Sequence, residues 1–182
     1  PIKGTRPRGP TPGEDRRNAD ALLASGKDRA ENLMIVDLMR NDLARECVPG
    51  TVRVPELCSL ETFTAVHHLV SAVTGTLRPG KTAVDALAAC FPGGSITGAP
   101  KIRAMEIIAE LEPAPRGPYC GTMFRLGFDG ALDSSILIRT VQKSGSLAVA
   151  HAGGGIVADS VPEDEYQESL TKARPLLAAL AG

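Results

Sequence analysis

Aromatic residues are scarce in this chain of 182 residues, which has no tryptophan, two tyrosines and four phenylalanines. Proteins that bind single-stranded nucleic acid stack bases on aromatic side chains, so such a platform is not expected here. Positive charge is not in excess either, because the formal net charge is −1. The sequence therefore indicates no basic surface for nucleic acid.

Long apolar runs and paired cysteines are also missing. No apolar run reaches the 18 residues typical of a membrane-spanning helix, and the first residues do not resemble a secretory leader. The four cysteines form no CxxC pair and match no zinc spacing; they are Cys47, Cys58, Cys90 and Cys120. Reduced, packed thiols in a cytoplasmic protein without membrane contact are the prediction.

The order of helical and extended patterns indicates the fold class. Apolar periodicity predicts helices near residues 14–25, 28–46, 82–90, 99–111 and 162–180. Runs rich in β-branched residues predict strands near 51–62, 64–77, 119–128, 132–142 and 146–152. Because the strands come in consecutive groups, we predict an α+β fold, with helices packed on an antiparallel sheet, in one domain over residues 1–182.

Lys3, in the opening Pro-Ile-Lys-Gly-Thr, is the first candidate for chemistry. An amine attacks carbon only when it is unprotonated, burial favours that form, and lysines in such surroundings serve covalent catalysis. A solvated surface charge is the alternative reading of an isolated lysine.

Three acidic residues are candidate ligands for a metal ion. Glu31 shares a helical stripe with Ile35 and Leu38, so its carboxylate should face inward and needs a cation or a donor. Glu165 and Glu168 lie three apart on the last predicted helix, and such oxygens suit Mg²⁺. A salt-bridged structural acid and a solvated acidic face are the respective alternatives.

Arginine and glycine supply candidate anion sites. Arg139 sits within an apolar run, 135–140, that predicts a strand, and alternation places it on the face of Leu137 and Ser135. An inward guanidinium there would bind a carboxylate with two parallel bonds, or form an internal ion pair.

The glycine-rich segment 93–101 precedes a helix, as in anion-binding nests. It is not a Walker A loop, because Ala99 follows Gly98 where lysine is required. The run 153–155 is three glycines, which permits close backbone approach to a ligand or a tight turn.

Taken together, these segments resemble the chorismate-utilising enzymes. The resemblance runs along essentially the whole chain, in order and spacing, and corresponds to about the C-terminal half of that catalytic domain. It is carried by residues 1–5, 31–38, 40–42, 91–101, 138–140 and 152–157. The family includes component I of the anthranilate and aminodeoxychorismate synthases, and the isochorismate and salicylate synthases.

The resemblance implies a role for each candidate residue. Glu31 and Glu168 would hold Mg²⁺, with Glu165 as a further ligand or beside it, and the metal would bind the ring carboxylate of chorismate. Lys3 would attack C2 of the ring and expel the C4 hydroxyl. The remaining implied contacts are His68 and Ser95 beside the ring, and Arg139, Tyr119 and the backbone of Gly153, Gly154 and Gly155 at the enolpyruvyl carboxylate.

Lys3 also separates the branches of this family. Lysine here resembles the aminodeoxychorismate synthases of para-aminobenzoate and folate synthesis, whose ammonia comes from a glutamine amidotransferase, as a separate subunit or a fused domain. Anthranilate synthases, the main alternative, typically carry alanine. A chorismate-binding module without catalysis is an alternative of another class. The family's general acid would precede Pro1, so the activity of this stretch alone is not predicted.

Overall fold

The computed structural model describes residues 1–158 and 160–181. The chain forms two compact units, Pro1–Ser95 and Ile96–Gly182. Each has its own helices and antiparallel strand pairs, which confirms the predicted α+β class.

The first unit alternates strands and helices. Its elements are β1 (Ile2–Pro7), α1 (Pro12–Leu23), α2 (Gly26–Ala44), β2 (Arg53–Thr62), β3 (Val66–Thr74) and α3 (Ala83–Cys90), followed by the short α4 (Gly94–Thr97). The first three helices begin after a hydroxyl residue whose oxygen accepts a hydrogen bond from the first turn; these are Thr11, Ser25 and Thr82. Such caps satisfy amide groups that a helix start leaves unpaired.

One antiparallel sheet organises the first unit. Its strands lie in the order β1-β3-β2, so β3 pairs on both sides. Lys3 lies opposite Leu69, Thr5 lies opposite His68, and the register shifts between Lys3 and Thr5. A bulge at this point re-aims the side chains on either side of it, so it decides where Lys3 points.

Helices α1 and α2 cover one face of this sheet. Burial alternates along β3, where His67, Leu69 and Ser71 are buried and the residues between them are half-buried. His67 contacts Asp15 of α1, and Ser71 contacts Asn32 of α2. His67 and His68 therefore point to opposite faces, as alternation predicts.

The second unit is built from hairpins between two helices. Its elements are α5 (Lys101–Leu111), β4 (Thr122–Leu126), β5 (Leu132–Ile136), β6 (Val141–Ser144), β7 (Leu147–Ala150) and α6 (Pro162–Ala181). Strand β4 pairs with β5 around Asp129 and Gly130, residues typical of a hairpin turn, and β6 pairs with β7 around Ser144 and Gly145.

The predicted strand over residues 132–142 is wrong. It is two strands, β5 and β6, separated by four residues without strand pairing. Arg139 lies in this break with a φ of 51°, and its side chain is exposed in the chain described. Strand pairing of β5 ends at Ile136, and the left-handed backbone of Arg139 turns the chain beyond it. The alternation that predicted an inward arginine therefore no longer applies at residue 139.

Within the described part of the chain, no helix has both the length and the hydrophobicity that crossing a membrane requires. The four cysteines carry free thiols, and three of them are buried, as expected of packed rather than bridged residues.

Candidate active site

Lys3 is positioned by the glycine that follows it. Gly4 has a φ of 81°, and a β-carbon at this residue would lie 2.8 Å from Cβ of Asp28 and 2.9 Å from Cδ1 of Leu22. Only glycine combines this backbone conformation with so close an approach. The bulge and the tight contact with α2 seat Lys3 against that helix.

Glu31 of α2 forms an ion pair with the amine of Lys3. The Nζ–Oε2 distance is 3.5 Å, and the two side chains are 24% and 26% exposed. The stripe predicted for α2 is confirmed, since Ile35 and Asp42 are buried and Leu38 is half-buried. The inward-facing carboxylate has thus acquired a cation, as its burial requires.

His68 lies on the sheet face away from α1 and α2. Its Nδ1 is 2.9 Å from Oγ1 of Thr5 and 3.4 Å from the carbonyl oxygen of Gly4. The ring of Phe63 packs edge-on against it, with centroids 5.6 Å apart. Half-buried and hydrogen-bonded through Nδ1, His68 is held in one orientation beside the bulge that carries Lys3.

The glycine-rich segment around Ser95 is seated directly on α2. A β-carbon on Gly94 would lie 2.7 Å from Cδ1 of Leu38, so the segment tolerates no side chain there. Ser95 is half-buried within α4, where the sequence predicted a loop.

The two acidic residues of α6 converge above a glycine in the second unit. A β-carbon on Gly154 would lie 3.1 Å from Oε2 of Glu165 and 3.8 Å from Oε1 of Glu168. Lys172 completes the group: its Nζ is 2.5 Å from Oε1 of Glu168 and donates to the carbonyl oxygen of Gly153 at 3.1 Å. Ser160 donates to Glu165 at 2.6 Å, which orients that carboxylate.

Tyr119 adjoins the same glycine run. Its hydroxyl would be 3.3 Å from a β-carbon on Gly153, and its ring stacks on His151 with centroids 5.2 Å apart. Burial raises the pKa of Tyr119. The phenol therefore stays protonated at neutral pH and can donate a hydrogen bond to an anion.

The carboxylates of the second unit fit the donor chemistry of Mg²⁺. This cation takes oxygen ligands from one or two carboxylates and keeps several waters. Glu165 and Glu168 present such oxygens over a position without a side chain, and the ammonium of Lys172 now pairs with Glu168, so a bound Mg²⁺ would have to displace it. In the described part of the chain no three His, Cys, Asp or Glu side chains form a metal-binding group.

The structure thus gathers the predicted residues in two sets. Lys3 and Glu31 are in contact in the first unit, with His68 on a neighbouring strand. Tyr119, Glu165 and Glu168 gather at the glycine run in the second unit. Gly155 is exposed, as is Arg139.

The sequence analysis did not single out two residues near the site, Lys172 and Asn32. Lys172 follows Glu168 by four positions, a spacing at which opposite charges meet on a helix, so its pairing was available from the sequence. Asn32 is fully buried beside Glu31. No sequence pattern flags a buried amide whose partners lie on a distant strand.

Similarity to solved structures identifies the class. The chain has a TM-score of 0.80 and 42% identity to anthranilate synthase component I from Streptococcus pneumoniae, covering 94% of this chain and 39% of that one. It has a TM-score of 0.84 and 27% identity to MenF, the menaquinone-specific isochorismate synthase from Escherichia coli, covering 96% and 40%. Both are mixed α and β enzymes of the chorismate-utilising class.

The chain belongs to the chorismate binding enzyme family, whose model matches residues 1–178. Aminodeoxychorismate synthase component 1 from Salmonella typhimurium is 58% identical over 177 residues, which are 97% of this chain and 39% of that protein. The Escherichia coli protein of the same name is 57% identical over 180 residues, covering 99% and 40%. Anthranilate synthase component 1 from Synechocystis is 54% identical over 185 residues, covering 99% and 36%. The chain therefore spans about two fifths of the length of these curated relatives.

Proposed function

We propose that this chain is part of component I of an aminodeoxychorismate synthase, an Mg²⁺-dependent enzyme that converts chorismate and ammonia to 4-amino-4-deoxychorismate. The observation that carries the proposal is the placement of Lys3, an amine held against Glu31 at a glycine-built bulge. The identity to synthases of this name supports it.

Lys3 acts as the nucleophile in this proposal. Its unprotonated amine attacks C2 of chorismate, both ring double bonds shift along the ring toward C4, and the C4 hydroxyl takes a proton and leaves as water. Ammonia then attacks C4, both double bonds shift back, and the lysine nitrogen leaves C2 with its bonding electrons. Covalent capture divides one difficult displacement into two easier steps.

The remaining residues bind and orient the substrate. Glu165 and Glu168 are the proposed Mg²⁺ ligands of the second unit, and Glu31 stays a predicted Mg²⁺ ligand in the first unit. Bound Mg²⁺ supplies a positive charge that offsets the ring carboxylate. Tyr119 donates its phenolic hydrogen to the enolpyruvyl carboxylate, and Arg139 and the amides of residues 153–155 are proposed to assist it. His68 and Ser95 flank the ring, which fixes the reacting carbon.

A second component completes the proposed enzyme. Relatives named component 1 imply a partner component, and a glutamine amidotransferase, separate or fused, is the proposed source of ammonia. We place the enzyme in the cytoplasm, where para-aminobenzoate and folate synthesis would use its product.

Anthranilate synthase activity is the second candidate. It is favoured by the 54% identity to the Synechocystis protein of that name. That reaction would add ammonia at C2 and eliminate pyruvate. A lysine at position 3 argues against it, because attack by Lys3 at C2 directs ammonia to C4.

The product decides between these functions. We expect the full-length protein, given chorismate, Mg²⁺ and an ammonium salt, to form 4-amino-4-deoxychorismate, which retains its enolpyruvyl group, so that no pyruvate appears until a lyase is added. Mass spectrometry and a coupled pyruvate assay measure both. Pyruvate released without a lyase would establish anthranilate synthase. If calorimetry shows Mg²⁺-dependent chorismate binding but no product forms, the protein would be a chorismate-binding module without catalysis.

A further inference from the structure

We infer that Asn32 is a positioning residue that fixes the distance between Lys3 and Glu31. The inference deepens the proposed function and rests on it for the importance of this pair. It concerns the fixed geometry of the pair, and Asn32 itself does not contact the amine of Lys3.

Asn32 has no exposed surface, and both ends of its amide are bonded. Its Nδ2 donates to the carbonyl oxygen of Leu69 at 3.2 Å, and its Oδ1 accepts from Oγ of Ser71 at 2.5 Å. Both partners lie on β3, the central strand. A buried amide is costly unless its partners are placed correctly, so α2 can occupy only the rotation and height that satisfy these bonds.

The donor and acceptor pattern allows one amide orientation. The backbone amide of Cys58 donates to Oγ of Ser71 at 2.8 Å, so the hydroxyl hydrogen of Ser71 is free to point to Asn32. A carbonyl oxygen accepts at the other end, which requires a donor there. The network therefore specifies a single arrangement, in contrast to an apolar contact, which has no direction.

These bonds connect the two supports of the ion pair. Asn32 is adjacent to Glu31 on α2, and Leu69 is the residue directly opposite Lys3 across the sheet. The backbone amide of Ser71 also donates to the carbonyl oxygen of Pro1 at 2.9 Å, two residues before Lys3. The network thus ties the helix next to the acid to the strand that carries the amine.

Zero-length cross-linking measures this distance without relying on activity. A carbodiimide joins an amine to a carboxylate in ion-pair contact, so peptide mass spectrometry of the treated full-length protein reports the Lys3–Glu31 link. The Lys81–Glu46 pair, at 2.8 Å in the same unit, is the internal reference. The variants are Asn32→Ala and the milder Ser71→Ala, which removes one hydroxyl of the same network. Val36→Ala, one turn further along the buried face of α2, is the matched control for general loosening.

We expect the Lys3–Glu31 link, relative to the reference link, to fall severalfold in both network variants and to be retained in Val36→Ala. Turnover should follow, with kcat lowered about tenfold or more and the KM for chorismate little changed, because misplaced reacting groups chiefly slow the chemical step. A link retained in Asn32→Ala and Ser71→Ala, or lost equally in Val36→Ala, would overturn the positioning role. A lost link with unchanged kcat would support the positioning role but show that turnover does not need the Lys3–Glu31 contact, and the product assay decides the proposed function separately.

Discussion

Single residues set the geometry around Lys3 through backbone shape. Gly4 has a left-handed backbone conformation and lets β1 pack closely against Asp28 of α2. Glu31 of the same helix contacts the amine of Lys3. The reactive lysine thus depends on a residue that has no side chain. A residue with a β-carbon here would have to adopt a left-handed backbone and push aside Asp28 or Leu22, which is costly.

Gly4→Ala should destabilise the protein by about 2–4 kcal/mol, the sum of a left-handed alanine and overpacking against α2. Chemical denaturation of the full-length protein measures the change. Gly13→Ala is the matched control, because a β-carbon there meets only the end of Arg17 at 4.0 Å. The control should lose no stability and gain up to about 0.5 kcal/mol from helix propensity. Equal stability of Gly4→Ala and the wild type would contradict the steric argument.

At the scale of elements, one carboxylate of α1 bonds to groups at the end of the first strand and on the central strand of the sheet. Asp15 accepts two hydrogen bonds from Arg8 at 2.7 and 2.8 Å, one from the amide of Gly9 at 2.9 Å, and lies 2.9 Å from Nε2 of His67. The guanidinium of Arg8, then the amide of Gly9 and the ring of His67, hold the pKa of Asp15 well below its usual range. The helix, β1 and β3 therefore meet at a single charged group.

This arrangement predicts how stability depends on acidity. A carboxyl whose pKa is lower in the folded state contributes stability that is complete above its unfolded pKa, near 3.9. That contribution is lost as the pH falls from about 4 toward the folded pKa. Asp15→Asn should therefore be less stable at pH 7 and should lose less stability on acidification than the wild type, as measured by thermal unfolding across pH.

Asp37→Asn is the control for this titration. Asp37 is 60% exposed and pairs with Arg40 one turn along its own helix, so its removal should change the acid slope less than Asp15→Asn does. Parallel stability curves for the wild type and Asp15→Asn would show that the cluster does not hold α1 in place.

At the scale of the whole molecule, the sequence predicted the elements better than their interruptions. The class, the strands β2 and β3, the five longer helices and both hairpin turns were foreseeable, because periodicity and turn residues are local signals. The short helix α4 lies where a loop was predicted. The break at Arg139 was not, since a non-glycine residue at positive φ follows from the turn as a whole. Family resemblance identified Lys3, Glu31 and Glu168, whereas the Asn32 network required knowledge of which strand faces which helix.

The covalent role of Lys3 is the central claim, and trapping it is the most direct test. The full-length protein is incubated with chorismate and Mg²⁺ but without ammonia, quenched, digested and mapped by mass spectrometry. We expect an adduct on Lys3 with the mass of chorismate less one water, absent from Lys3→Ala and discharged when ammonium is added. An unmodified Lys3 in a preparation that still forms 4-amino-4-deoxychorismate, or a Lys3→Ala variant with wild-type turnover, would contradict the account.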